Sequence, residues 1–130
     1  MAQPTAAASA ASTEFPAVAA RLRQILEPYR GRYAITHDGP GGMALEVPGL
    51  EGQPRGYFAG IRVGKRYVSY YLMPVYAFPD LVETMSPQLR RRMQGKACFN
   101  FTHVDEALMT ELADVTARGA QLWGPDGPAV

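Results

Sequence analysis

The sequence predicts an α+β domain: a five-stranded, mostly antiparallel sheet with helices packed on one face, in the order α-β-β-β-β-α-α-β-α. Three observations predict it. Tyr57 to Val63 and Tyr67 to Met73 alternate apolar and polar residues on either side of Gly64-Lys65, the pattern of a hairpin closed by a tight turn. Val18, Leu22, Ile25, Leu26 and Tyr29 recur at three- and four-residue spacing, one apolar stripe on a helix. The run Ser86 to Phe101 spells a capped short helix, a glycine stop and a strand.

In chain order, Pro16 suits the first turn of the opening helix, where a missing N–H costs nothing, and Pro28 and Gly31 close it. Tyr33 and Ile35 alternate with Arg32, Ala34 and Thr36 as a first strand. The turn cluster Asp38 to Gly42 leads to a second strand carrying Met43, Leu45 and Val47. Pro48 to Pro54 is a loop, followed by the two hairpin strands, the second ended by Pro74. Phe78 to Glu83 reads as a short helical turn. Ser86 caps the next helix with Pro87 at its first position, and Gly95 supplies a left-handed stop before a fifth strand, Ala97 to Phe101. Thr102 and Asp105 stand at capping-box spacing before a last helix with Val104, Leu108, Leu112 and Val115 on one face, ended by Gly119.

A chain of 130 residues has room for one hydrophobic core, and 47% apolar with 19% charged residues is ordinary for a globular protein. One domain over residues 14–123 is expected, between flexible tails at 1–13 and 124–130 that are rich in Ala and Ser or in Gly and Pro. A formal net charge of +1 argues against a dedicated nucleic-acid binder. No apolar run approaches the roughly 18 residues of a membrane span, and the first residues lack the pattern of a secretory signal. The one cysteine, Cys98, forms no intrachain disulfide, so a cytoplasmic location is the simplest expectation.

At Gly56-Tyr57-Phe58-Ala59-Gly60-Ile61, Lys65-Arg66-Tyr67-Val68-Ser69-Tyr70-Tyr71 and Gly95-Lys96-Ala97-Cys98-Phe99-Asn100-Phe101 the chain resembles the YdhG-like family of small bacterial domains. The likeness spans roughly Phe15 to Arg118 and is stronger after Gly56. It implies an antiparallel sheet backed by helices. Some members are described as frataxin-like intracellular iron chaperones, so it also implies metal carriage as an alternative function. Tyr67 stands where many relatives are expected to have histidine, which removes a donor from that implication.

The residues themselves assemble no catalytic group, metal site or cofactor motif. His37 and His103 lie in separate loops, and Asp105 and Glu106 are explained as first-turn helix acids. Arg90, Arg91 and Arg92 fan over about 200° of a helix and cannot share one ligand. Gly95-Lys96 lacks the further glycines of a phosphate loop. Cys98 has Lys96 on the same strand face but no histidine–carboxylate pair, so a half-buried structural thiol is the plainer reading.

Period-2 alternation carries the functional expectation. The helix-covered face takes Tyr33, Ile35, Met43, Leu45, Val47, Tyr57, Ala59, Ile61, Val63, Val68, Tyr70, Leu72, Ala97, Phe99 and Phe101. The other face collects large aromatic groups beside small ones, a mixture that leaves concavities and marks binding surfaces. Phe58, Tyr67 and Tyr71 are the expected contacts there, with Arg62, Lys96 and Asn100 as polar anchors. A non-enzymatic binding or interaction module follows, its partner a small ligand, a protein or a second copy of the chain. Weak single-stranded nucleic-acid binding on the same aromatics is the other alternative.

Overall fold

A computed structural model describes residues 6–124, with side chains from residue 14 onward. The chain folds as α1 (Ala6–Leu26), β1 (Ala34–Gly39), β2 (Gly42–Glu46), β3 (Tyr57–Val63), β4 (Val68–Leu72), α2 (Met73–Ala77), α3 (Asp80–Glu83), α4 (Pro87–Arg90), β5 (Met93–Gln94), β6 (Cys98–Phe101) and α5 (Glu106–Gln121). The strands form one antiparallel sheet in the order β1-β2-β3-β4-β6-β5. Helices cover one side, as the α+β expectation required, but the sheet has six strands, not five.

The added strand comes from the stretch expected to be helical up to Gly95. The Ser86 hydroxyl accepts from Leu89 N at 3.1 Å and so caps α4, but the helix stops at Arg90. Met93 and Gln94 then pair with Phe99 and Cys98, and Asn100 N donates to Arg92 O at 2.8 Å. Gly95, at φ 79°, turns this hairpin rather than ending a helix. Two residues are too few for alternation to be seen in the sequence.

Other boundaries also move. Pro16 lies inside α1, which starts at Ala6. Met73 opens α2 with Pro74 in its first turn, so the strand before it ends at Leu72. Asp105, not Thr102, caps α5, and the helix continues past Gly119 to Gln121. The expected tail residues 1–5 and 125–130 lie outside the described residues.

The core forms where α1 and α5 meet the covered face of the sheet. Val18, Leu22 and Leu26 from α1 and Met109 and Leu112 from α5 are buried against Met43, Leu45, Val68, Tyr70, Leu72 and Phe99. Burial of side chains of this size stabilises by roughly 1.5–3 kcal/mol each. One polar pair enters this core fully bonded: Tyr70 Oη lies 2.7 Å from Thr116 Oγ1, which donates to Leu112 O at 2.8 Å. Burial pushes the Tyr70 phenol well up from its ordinary value, so it stays protonated and donates.

The alternation breaks at one place that shapes the open face. Leu45 pairs with Ala59 but Glu46 pairs with Tyr57, so Phe58 is an extra residue in β3. This bulge sends Phe58 into the core, fully buried and stacked on Tyr33 at 4.0 Å between centroids and 8° between planes. It turns Tyr57 out beside Glu46. The two expectations are therefore exchanged: Tyr57 is on the open face and Phe58 is not. A second shift, between Ile35 and His37, lies in edge strand β1, where Ile35, expected in the core, is 39% exposed.

Candidate functional site

The centre of the open face is built by β3, β4 and β6. Arg62 is paired with Ser69, Ser69 with Asn100, Gly60 with Tyr71, and Tyr71 with Cys98, so antiparallel register brings these side chains to one surface. The short strand β5 adds Gln94 at its margin, and the β3–β4 turn, held by Gly64 N donating to Tyr67 O at 2.9 Å, adds Lys65, Arg66 and Tyr67. Together they line a cleft of about 460 Å³ formed by Arg62, Gly64, Lys65, Arg66, Tyr67, Ser69, Tyr71, Gln94, Cys98 and Asn100. Its size falls within the range of small-molecule sites.

Tyr57 walls the face next to this cleft. A methyl group placed at Gly60 would overlap Tyr57 Oη and come within 2.8 Å of Met43 O, so the phenol lies across the glycine. Burial, with Tyr71, Glu46 and Cys98 nearby, pushes the Tyr57 phenol up from its ordinary value and keeps it neutral. Gly60 is thus the gap that the large neighbour fills. The sequence signal was there, an aromatic pair three and two residues before a strand glycine, but choosing which aromatic faces out required the bulge.

The floor is a connected polar network. Ser69 Oγ donates to Asn100 Oδ1 at 2.7 Å, and Asn100 Nδ2 donates to Gln94 Oε1 at 2.7 Å. Tyr67 Oη donates to the same Gln94 oxygen at 3.4 Å, and Cys98 Sγ approaches Asn100 Oδ1 at 3.4 Å. The network fixes the floor and holds Cys98 half-buried as part of it.

Of the six expected contact residues, Arg62, Tyr67, Tyr71 and Asn100 line this cleft. Phe58 does not, because the bulge buries it. Lys96 does not either: it follows Gly95 in the β5–β6 turn, and its Nζ lies over the Tyr76 ring at 5.7 Å, lining a different groove with Tyr76, Arg90 and Met93. Sequence reasoning missed Gln94, Lys65 and Arg66 as lining residues, since turn geometry and a two-residue strand decide their placement.

Elsewhere the chemistry is sparse. Among the described residues no group of three His, Cys, Asp or Glu side chains is placed to hold a metal ion. His37 and His103 are exposed, the latter 3.2 Å from the Thr102 hydroxyl. Among the described residues no helix is long and apolar enough to cross a membrane. Comparison with family models, curated proteins and solved structures finds no match, so the likeness to the YdhG-like family rests on the residues quoted for it.

Proposed function

We propose that the protein is a non-enzymatic binding module whose ligand is a small molecule held in the cleft on the open face of the sheet. The observation that carries this reading is the convergence of Tyr67, Tyr71, Arg62 and Asn100 on one concave surface that no helix of the described residues covers. Aromatic walls, a hydrogen-bonding floor and a charged rim are the parts of a small-ligand site. Nothing in the cleft resembles a nucleophile with its base. Cys98 has Asn100 as its polar partner and no histidine lines the cleft, so recognition rather than reaction is its chemistry.

A small ligand fits better than a single nucleic-acid strand. A strand-tracking groove spreads its cations along the path, whereas Arg62, Lys65 and Arg66 gather at the β3–β4 turn. Iron carriage, implied by the family likeness, finds no donor cluster among the described residues.

The test is an amide-shift map of the 15N-labelled protein against a set of soluble aromatic fragments. Saturable shifts confined to residues 60–71 and 94–100, weakened by Tyr71→Ala, are the expected result. Shifts elsewhere with none in those segments would reject the reading. Association to twice the monomer mass with those same amides perturbed would put a second copy of the chain in the ligand's place.

A further inference from the structure

Two independent features of the cleft, its cations and its hydrogen-bond polarity, agree on the charge of what it holds. Most cations of this chain are already engaged. Arg21, Arg23, Arg30 and Arg118 meet carboxylates, Arg32 and Arg90 donate to backbone carbonyls, and Lys96 lies over Tyr76. Among the described residues Arg62, Lys65 and Arg66 have no such partner, and all three are exposed on the rim of one cleft that no carboxylate lines. Arg91 and Arg92 line another cavity, but there Asp105 shares the lining, and Arg55 stands as a single cation at an apolar groove with Met73, Tyr76 and Trp123.

The floor has a matching polarity. The Asn100 and Gln94 side-chain oxygens are the amide acceptors there, and both are occupied from within, by Ser69, Cys98, Asn100 and Tyr67. What the floor's amides have left to offer is N–H: the Gln94 amide and the second proton of Asn100 Nδ2. Donors below and unpaired cations at the rim complement an anion and disfavour a cation, whose charge would meet no carboxylate, no free amide oxygen and three like charges.

Resting on the proposed cleft function, we infer that the ligand is a small organic anion, an aromatic ring bearing a phosphate or carboxylate. Its charged group meets Arg62 and Arg66, and its ring lies against Tyr67 and Tyr71. Arg62 projects from a paired strand and is the fixed anchor, while Lys65 and Arg66 belong to the turn. Ionic strength weakens such a contact because the rim is exposed to solvent.

Four probes of similar ring size separate the parts of this inference: phenyl phosphate, benzoate, benzyl alcohol and benzylammonium, each titrated into 15N-labelled protein. Phenyl phosphate or benzoate is expected to shift amides 62–71 and 98–100 saturably, with benzyl alcohol and benzylammonium at least about tenfold weaker. The tighter of the two anions identifies the group. Arg62→Gln with Arg66→Gln, both at exposed sites without partners, is expected to lower anion affinity about tenfold while leaving benzyl alcohol unchanged. Benzyl alcohol or benzylammonium binding as tightly as the anions, at the same amides, would overturn the anion assignment and leave the cleft reading standing. No shift on the open face with any of the four probes would overturn both.

Discussion

At the scale of single residues, the exchange of Tyr57 and Phe58 has measurable consequences. Phe58 is a core residue stacked on Tyr33, so Phe58→Ala should cost about 3–5 kcal/mol in urea unfolding. Tyr71→Ala, at a half-buried position on the open face, should cost much less and should instead reduce ligand binding. The opposite ranking would mean that the bulge is misplaced. Gly60 is a third such position. Gly60→Ala pushes a methyl group into Tyr57 Oη and toward Met43 O, and a loss of about 1–3 kcal/mol is expected in the same unfolding experiment. Tyr70→Phe removes the buried hydroxyl that donates to Thr116 and should cost about 1 kcal/mol. These positions also mark how far the sequence could be read. Alternation placed Met43, Leu45, Ala59, Ile61, Val68, Tyr70, Leu72, Phe99 and Phe101 in the core, where they are buried. It failed at the adjacent aromatic pair because one inserted residue reverses every side chain before it, and both residues are strand formers of similar size.

At the scale of elements, side chains far apart in sequence tie the layers together. Glu111 of α5 accepts from Ser86 N at 2.6 Å and from Ser86 Oγ at 2.7 Å, while the same hydroxyl caps α4. Ser86→Ala removes the cap and one of the Glu111 contacts, and a loss of about 1–2 kcal/mol is expected from thermal or urea unfolding. Arg23 of α1 meets Asp38 at 2.6 Å and also donates to the carbonyls of Gly39 and Gly42, fixing the helix to the tip of the β1–β2 hairpin. The guanidinium of Arg23, with Arg30 adding a second contact, holds the Asp38 carboxyl below its ordinary value. A depressed carboxylate contributes stability above its unfolded-state pKa and loses it as pH falls through the lowered folded value. Arg23→Gln should therefore raise the Asp38 midpoint in a carboxyl 13C titration, and an unmoved midpoint would show the pair to be unformed in solution. The element boundaries were legible where local chemistry sets them, as at Ser86. They were not where tertiary pairing does. Met93-Gln94 becomes a strand because β6 lies beside it, and Gly95 satisfies a helix stop and a hairpin turn equally well.

At the scale of the whole molecule, helices on one side leave the opposite sheet face uncovered by the described helices, and the strand order brings β3, β4 and β6 together at its centre. That arrangement, rather than any motif, locates the candidate site. The expectation of an aromatic, polar-anchored surface named four of its residues, and it missed Lys65, Arg66 and Gln94 because a turn and a two-residue strand carry them. Cys98, the one cysteine of the chain, lines the cleft and so reports directly on its occupancy. The measurement that tests the central claim most directly is the rate of Cys98 alkylation by iodoacetamide with increasing phenyl phosphate. The cleft account predicts slowing that saturates over the concentration range in which the amide shifts saturate. Alkylation at an unchanged rate when the protein is saturated with phenyl phosphate would place the ligand elsewhere and contradict the account.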